Sequence, residues 1–292
     1  MRGSSTAFAP TAAAFEGFRL IRREPRAAAV WTLLWLVAFL FTAIVVATGD
    51  RVGLPGQMAA RGLRDFGRRF GPFAVLSSAL FLIVWVTTTV AAYRAVLRPA
   101  DRRYYFLRLG ADEMRLAVMT IISFVLILVF GGVPAYLLFV LISPLMQAMP
   151  ALARDLATAG ALATVCVDIW LGVRLSLIAV ETVAERRFHL TAYWPLAKGR
   201  FWYLMSAYFL CFVVVFGLSV LFFLLGQGLT TVAPAVLGEP NLLRRTGVMM
   251  LAAGLAVLTA CFFLVSTTVF CACQAYAFRA IAAAGEEDVT ID

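Results

Sequence analysis

Long apolar stretches alternate with short basic segments along the whole chain. Six of the stretches can each hold a helix of about 20 residues, the length that crosses a bilayer core about 30 Å thick. The predicted spans are 27–48, 71–97, 115–142, 157–183, 200–226 and 247–278. Only the fourth carries charges deep in its interior, Asp168 and Arg174. The pattern predicts an all-α integral membrane protein with six transmembrane helices.

Composition agrees with a membrane environment. The chain is 63% hydrophobic and 14% charged, with a mean hydropathy of +0.92, whereas soluble domains are about 45–50% apolar and about 25% charged. The first apolar stretch is longer than the 7–15 residues of a signal-peptide core, so we expect a retained span. In so apolar a chain, a net charge of +9 indicates basic loops at anionic lipid headgroups and argues against nucleic-acid binding.

The distribution of basic residues predicts the orientation. Most arginines and lysines lie in segments that face the cytoplasm if both termini are inside, although the arginine-rich loop 49–70 is an exception. The bias predicts a multi-pass membrane protein with cytoplasmic N- and C-termini. One cytoplasmic connector combines aromatic and basic residues and is predicted to anchor at the lipid headgroups: Arg102, Arg103, Tyr104, Tyr105, Phe106 and Arg108.

Three similar tripeptides recur at a spacing of 90 residues, each before an even-numbered span. They are Leu63-Arg64-Asp65, Ala153-Arg154-Asp155 and Leu243-Arg244-Arg245. The spacing predicts one membrane domain, 1–292, of three pseudo-repeated helical hairpins over about 15–98, 99–187 and 188–281. The residues at 285–292 form an acidic tail that is predicted to be disordered.

Short amphipathic segments flank the predicted hairpins. The basic segments before the odd-numbered spans are Arg19–Arg26, Arg108–Arg115 and Trp194–Arg200. On the outer side, Met58–Phe70 has apolar residues near helical spacing with arginines between them. This pattern is typical of helices that lie in the headgroup region.

Asp168 and Arg174 are the most conspicuous polar residues, because a charge inside a span costs a few kcal/mol. They are six residues apart, about 240° around a helix, so they cannot pair with one another. One interpretation is a proton- or cation-linked site, with Asp168 titrating and Arg174 binding an anionic group. The other is a structural pin, with Asp168 bonded to Ser or Thr neighbours and Arg174 to backbone carbonyls or lipid phosphate.

Two further features lie inside the spans. Gly131-Gly132-Val133-Pro134 interrupts the third span and predicts a kink or a break, and broken helices line substrate sites in many transporters. A polar layer comprises Thr87, Thr88, Thr89, Arg94, Ser266, Thr267, Thr268 and Gln274. These side chains either line a shallow inward cavity or bond their own and neighbouring helices.

The sequence predicts no enzyme and no cofactor. It has one histidine, His189, and lacks zinc, phosphate-loop and nucleophile-elbow motifs. Glu181, Glu185 and His189 share one helical face and could hold a metal weakly, but beside Arg186 and Arg187 we expect a solvated helix end and no metal site. The five cysteines all lie within predicted spans and are expected to pack as small apolar residues.

The hairpins and basic connectors such as Tyr93–Arg103 and Ala192–Trp202 resemble those of bacterial six-helix membrane proteins of unassigned function. The chain is similar in architecture to the membrane domain that precedes some glycerophosphodiester phosphodiesterases. The resemblance implies a membrane module with a lipid-related role, and it carries over no catalytic residue.

Two functional hypotheses stand at this point. The first is a non-enzymatic scaffold, accessory subunit or lipid-associated module whose partners are membrane lipids or other membrane proteins. The alternative is a small permease for a lipid-like or anionic solute that uses Asp168 and Arg174. The candidate intramembrane polar site comprises Asp168, Arg174, Pro134, Thr88, Arg94, Thr268 and Gln274.

Overall fold

The computed structural model describes the backbone at 9–50, 54–108, 110–186, 201–237 and 242–289. Helices fill these ranges almost completely, and no strand occurs in them. The α-helices are α1 (Pro10–Arg23), α2 (Pro25–Asp50), α3 (Leu54–Leu97), α4 (Ala111–Ile127), α5 (Val133–Ile142), α6 (Leu145–Ala148), α7 (Pro150–Glu185), α8 (Phe201–Leu237) and α9 (Leu242–Val289). A 3₁₀ turn, Arg103–Phe106, precedes α4, and a π turn, Leu128–Gly132, joins α4 to α5.

Six helical segments are long and apolar enough to cross a membrane, which confirms the predicted class. They are Pro25–Ala43, Val75–Leu97, Arg103–Ile142, Pro150–Glu185, Phe201–Gly228 and Ala253–Ala283. The buried share of their most apolar stretch ranges from 50% in the second span to only 6% in the fifth. Apolar helices with so much uncovered surface suit lipid, which is as apolar as their side chains.

One local expectation was wrong, and another stays a prediction. The segment Met58–Phe70 is helical and is part of α3, which runs without interruption from Leu54 into the second span, and its position in the headgroup region stays a prediction. The last helix, α9, continues to Val289, so the acidic tail is helical at 285–289. Its alanines and glutamates are strong helix formers and extend the preceding helix. The predicted basic segment Trp194–Arg200 lies outside the described residues, and the threefold repeat stays a prediction.

The chain divides into two compact units. The first unit comprises 14–108 and 209–273. There α2 packs against α3, and four aromatic rings from α2, α3 and α9 meet with centroids 5.1–6.1 Å apart: Trp35, Phe39, Phe81 and Phe263. At Gly17, α1 approaches the backbone of α9 so closely that a Cβ would lie 2.5 Å from the Cα of Val269.

The second unit comprises 1–13, 109–208 and 274–292. Its centre is a helical hairpin in which α4, the π turn and α5 pack against α7. Met119 of α4 meets Leu171, Leu175 and Ile178 of α7 in a buried cluster. Because these α7 residues recur every three to four positions, they form one stripe along the helix, and this stripe fixes the face that α7 turns toward α4.

Candidate functional site

The connector between α3 and α4 contains a left-handed turn built without glycine. Tyr104, Tyr105 and Phe106 have φ angles of 51°, 58° and 65°, and the Leu107 N–H donates to the Tyr104 carbonyl at 3.0 Å. In this conformation the Cβ of an L-residue crowds the following carbonyl, at a cost of roughly 1–2 kcal/mol per residue. Such a turn persists only where its surroundings hold it.

Two buried side chains hold the turn by its carbonyl groups. The indole Nε1 of Trp31 donates to the Tyr105 carbonyl at 3.1 Å. The guanidinium Nη1 of Arg94 donates to the carbonyls of Phe106 and Arg108, both at 3.3 Å. The ring of Phe106 is itself buried. Arg94, predicted as part of an intramembrane polar layer, therefore organises this connector.

The turn forms one wall of a basic cavity of about 180 Å³. It is lined by Arg94, Asp101, Arg103, Tyr104, Phe106 and Arg108. Three guanidinium groups face one carboxylate, so the cavity carries net positive charge. Arg103 and Arg108 are exposed, and their side chains make no hydrogen bond or ion pair within the described part of the chain. At about 30 Å³ per water molecule, the cavity has room for a phosphate group and part of its ester.

Sequence reasoning found the aromatic and basic residues of this connector but missed the cavity. The left-handed conformation could not be predicted from the sequence, because such turns are usually recognised by a Gly or Asn residue, and this turn contains neither. The site also includes Trp31 and Asp101, which no sequence pattern had singled out.

In the second unit, Asp168 lies directly over Gly131 of the π turn. A Cβ at Gly131 would overlap the Asp168 carboxyl group, which occupies that space instead. Asp168 is half-buried, and its Oδ1 is fully buried without a hydrogen-bond partner in the described structure. The pin interpretation required Ser or Thr partners, and none reaches this oxygen among those residues.

The predicted interruption of the third span is a π turn. Val133 donates its N–H to the Leu128 carbonyl, five residues back instead of four. Pro134 follows at the second position of α5 and has no N–H to offer to the carbonyl of Phe130. The helix thus continues through the predicted break with a local change of hydrogen-bond register.

Arg174 does not pair with Asp168, as their helical separation predicted. Its guanidinium carbon lies 4.5 Å from the centroid of the Trp170 ring on the same helix. Stacking of this kind stabilises a cation at a partly desolvated position.

The remaining predicted polar residues bond locally. Thr88 donates to the Val84 carbonyl of its own helix at 2.7 Å, and Thr268 is buried. The Cys271 side chain lies beside those of Thr89 and Tyr93. This arrangement favours helix bonding over an open cavity for these first-unit threonines. Gln274 is half-buried in the second unit.

Glu181 corrects the expectation of a solvated helix end. Its exposed fraction is only 1%, and neither carboxylate oxygen has a hydrogen-bond partner in the described residues. Glu185, one turn further on, is exposed, and His189 lies outside the described residues. Because Glu181 is near the end of α7, it was expected to contact water, but the packing around α7 buries it.

Comparison with protein-family models, curated proteins and solved structures finds no match for this chain. The resemblance to six-helix membrane domains stays a prediction.

Proposed function

We propose that this chain is a lipid-associated module of the bacterial inner membrane, without catalytic activity, that binds the phosphate of an anionic lipid headgroup. The observation that supports this most is the basic cavity beside the left-handed turn. Its three arginines converge where a connector leaves the second span, at the level of the headgroups on the predicted cytoplasmic side.

The chemistry of the cavity suits a phosphate ester. Guanidinium groups bind phosphate oxygens through two parallel N–H donors. Arg103 and Arg108 have no competing partner in the described residues, whereas neighbouring Arg102 is held by Glu24 at 2.8 Å. Arg94 is already fixed by two carbonyls, so it adds positive charge without an entropic cost on binding.

The backbone of the cavity is preorganised. Three strained residues are held in place by Trp31 and Arg94, and strain of this kind concentrates at ligand sites. A binding site that is already formed avoids the cost of ordering a loop when the ligand arrives. Tyr104, which is 79% exposed, provides an aromatic ring of the type enriched at the headgroup level.

The test uses the full chain in phosphatidylcholine nanodiscs doped with phosphatidylglycerol, and native mass spectrometry counts the anionic lipids retained. Each basic residue near an anionic surface contributes about 1 kcal/mol. The double variant Arg103→Gln/Arg108→Gln should therefore lose about 2 kcal/mol, or about thirtyfold in affinity. Arg19→Gln is the matched control, since Arg19 is a 61% exposed arginine paired with Glu16 outside the cavity, and it should lose no more than the roughly 1 kcal/mol of a single surface charge.

Two further measurements test the effect of the Asp101 carboxylate and distinguish a lipid headgroup from free phosphate as the ligand. Asp101→Asn removes the one carboxylate of the cavity and should raise affinity severalfold. Inorganic phosphate at millimolar concentration should not displace the lipid. Displacement by inorganic phosphate, or equal loss in the Arg19 control and the double variant, would overturn the assignment to a lipid headgroup.

A further inference from the structure

The fifth span carries a row of exposed aromatic rings that headgroup binding does not use. Four rings of α8 follow one another at intervals of seven residues, and each is 57–78% exposed: Trp202, Phe209, Phe216 and Phe223. Four residues after each ring comes another exposed side chain: Ser206, Val213, Val220 and Gln227. We propose that these eight residues, the aromatic seam, bind the fifth span of a second copy of the chain.

The spacing of the aromatic seam is that of a helix packed against another helix. Its residues are separated alternately by four and three positions, and this seven-residue period keeps one line of side chains facing a partner when two helices coil around each other. Lipid tails are as apolar as the side chains, so a surface that only contacts lipid needs apolar residues in no particular register. The regular repeat of rings therefore indicates a helix as the occupant.

The aromatic seam lies on the side of α8 that points away from α9. Phe222 of α8 stacks on Phe262 of α9 with ring centroids 5.2 Å apart. Val220, in the seam, comes two residues before Phe222 and is therefore about 200° around the helix from it. Only 6% of the most apolar stretch of this span is buried within the chain. A second copy can thus pack on the seam without disturbing the contact between α8 and α9.

The aromatic seam is complementary to itself. Two copies of one chain have the same orientation in a membrane, so their fifth spans run parallel, and a twofold axis between them places each seam residue opposite its own counterpart. Rings then meet rings, and the β-branched Val213 and Val220 occupy the positions at which such residues favour two-stranded parallel packing. The amide of Gln227 both donates and accepts, so it can pair with the same amide of the second copy.

The rings offer enough surface for a specific interface. A buried aromatic side chain covers about 150–250 Å², so the exposed parts of the four rings amount to roughly 500 Å² per chain. Two copies together can bury roughly 1,000 Å² through the rings alone, which is about the minimum for a specific interface. Val213 and Val220, which are 46% and 42% exposed, add to this area.

The first measurement is the association of full chains in phosphatidylcholine vesicles. Chains with a donor or an acceptor fluorophore at the C-terminus are mixed over a series of protein-to-lipid ratios, and energy transfer should follow a monomer–dimer equilibrium. The double variant Phe216→Ala/Phe223→Ala should raise the dissociation constant about thirtyfold, because two aromatic pairs are lost from the interface. Phe124→Ala is the matched control, since this ring is 66% exposed on α4, and it should change the constant less than about threefold.

The second measurement, disulfide cross-linking, uses an intact ring row and so does not depend on the folding of the double variant. The exposed Cys166 and Cys261 are first replaced by serine, and Val220→Cys or Leu221→Cys is then introduced. Leu221 is 54% exposed but is about 100° around the helix from Val220. A disulfide needs Cα atoms within about 7 Å. Oxidation with copper phenanthroline should therefore link two Val220→Cys chains at least about tenfold faster than two Leu221→Cys chains.

Each contrary result would overturn the proposal. Chains that stay monomeric at every protein-to-lipid ratio would mean that the aromatic seam faces lipid or a helix of another protein. Association that the double variant leaves unchanged, or that Phe124→Ala weakens equally, would mean that the copies meet through a different surface. Equal rates of cross-linking at positions 220 and 221 would show that this face of α8 does not lie at a parallel interface.

Discussion

Leu138 and Gly160 interlock across the second hairpin. The Cδ2 methyl of Leu138 occupies the space that a Cβ at Gly160 would need, and Asp168 occupies the corresponding space at Gly131. In one contact the glycine is on α7, and in the other it belongs to the π turn. Residue 131 of the third span contacts residue 168 of α7, and residue 138 contacts residue 160. The residue numbers run in opposite directions along the two helical segments, so the segments are antiparallel.

The gap at Gly131 predicts a cost for adding a single methyl group. Gly131→Ala would displace the Asp168 carboxyl group from the π turn, and overpacking of this kind costs about 1–3 kcal/mol. The free energy of unfolding in detergent, measured by thermal or denaturant titration of the full chain, should fall by that amount. Gly172→Ala is the matched control on α7, because a Cβ there has no neighbour within 4 Å. Equal stability of the two variants would show that Asp168 does not occupy the gap.

The gap at Gly160 can be tested by rescue. Gly160→Ala forces Leu138 to move, and we expect a loss of about 1–3 kcal/mol in the free energy of unfolding. In the double variant Gly160→Ala/Leu138→Ala the new methyl group enters the space that the leucine vacates. The double-mutant cycle should therefore give a favourable coupling of about 0.5–3 kcal/mol. Strict additivity of the two losses would contradict the contact.

The left-handed turn predicts an unusual benefit from glycine. At Tyr104 the backbone has a φ of 51°, and the exposed ring gives up little packing. Tyr104→Gly should be about 0.5–1 kcal/mol more stable than Tyr104→Ala, since alanine retains the clash at positive φ while glycine removes it at some entropic cost. Both variants lack the tyrosine ring, so the difference between their stabilities in differential scanning calorimetry reports the effect of the backbone conformation alone. If alanine is the more stable of the two, the turn is not left-handed in solution.

Glu181 is predicted to destabilise the fold. Its buried, unpartnered carboxylate costs about 1–3 kcal/mol as an unsatisfied polar group. Glu181→Met, an unbranched apolar side chain of similar length, should raise the free energy of unfolding by that amount, and Glu181→Gln by less. As a comparison, Asp155→Asn at a 76% exposed position of the same helix should change it little. A loss of stability in Glu181→Met would mean that the carboxyl group has a partner.

The sequence allowed the six spans to be predicted, because the lipid phase imposes the same apolar composition along each of them. The polar features were predicted less well, since their environment depends on contacts between helices. Asp168 was recognised by its charge, but its contact with Gly131 depends on the register of the hairpin. Glu181 looked solvated because it lies near a helix end.

The connector shows a different limit of sequence reasoning. Arg94 was grouped with the threonines of its helix, whereas its guanidinium reaches carbonyls 12 and 14 residues later. Its partners are backbone atoms, which have no side-chain signature. The left-handed turn at Tyr104–Phe106 is equally invisible, since aromatic residues rarely adopt it. The second span was predicted at 71–97, close to the apolar segment Val75–Leu97, but α3 begins at Leu54, since an amphipathic surface helix and a buried helix share one period and can join without a break.

The two glycine contacts have a consequence for the loop between the third and fourth spans. They lie about two helical turns apart on each side of the hairpin, so together they set the alignment of the spans independently of the connection at 143–149. Residues inserted into that connection would leave both contacts intact. A residue inserted between Gly132 and Leu138 would rotate Leu138 by about 100° and leave only one of the contacts in place. The alignment of the two spans is therefore set by contacts within the helices, and the connection at 143–149 is free to vary in length.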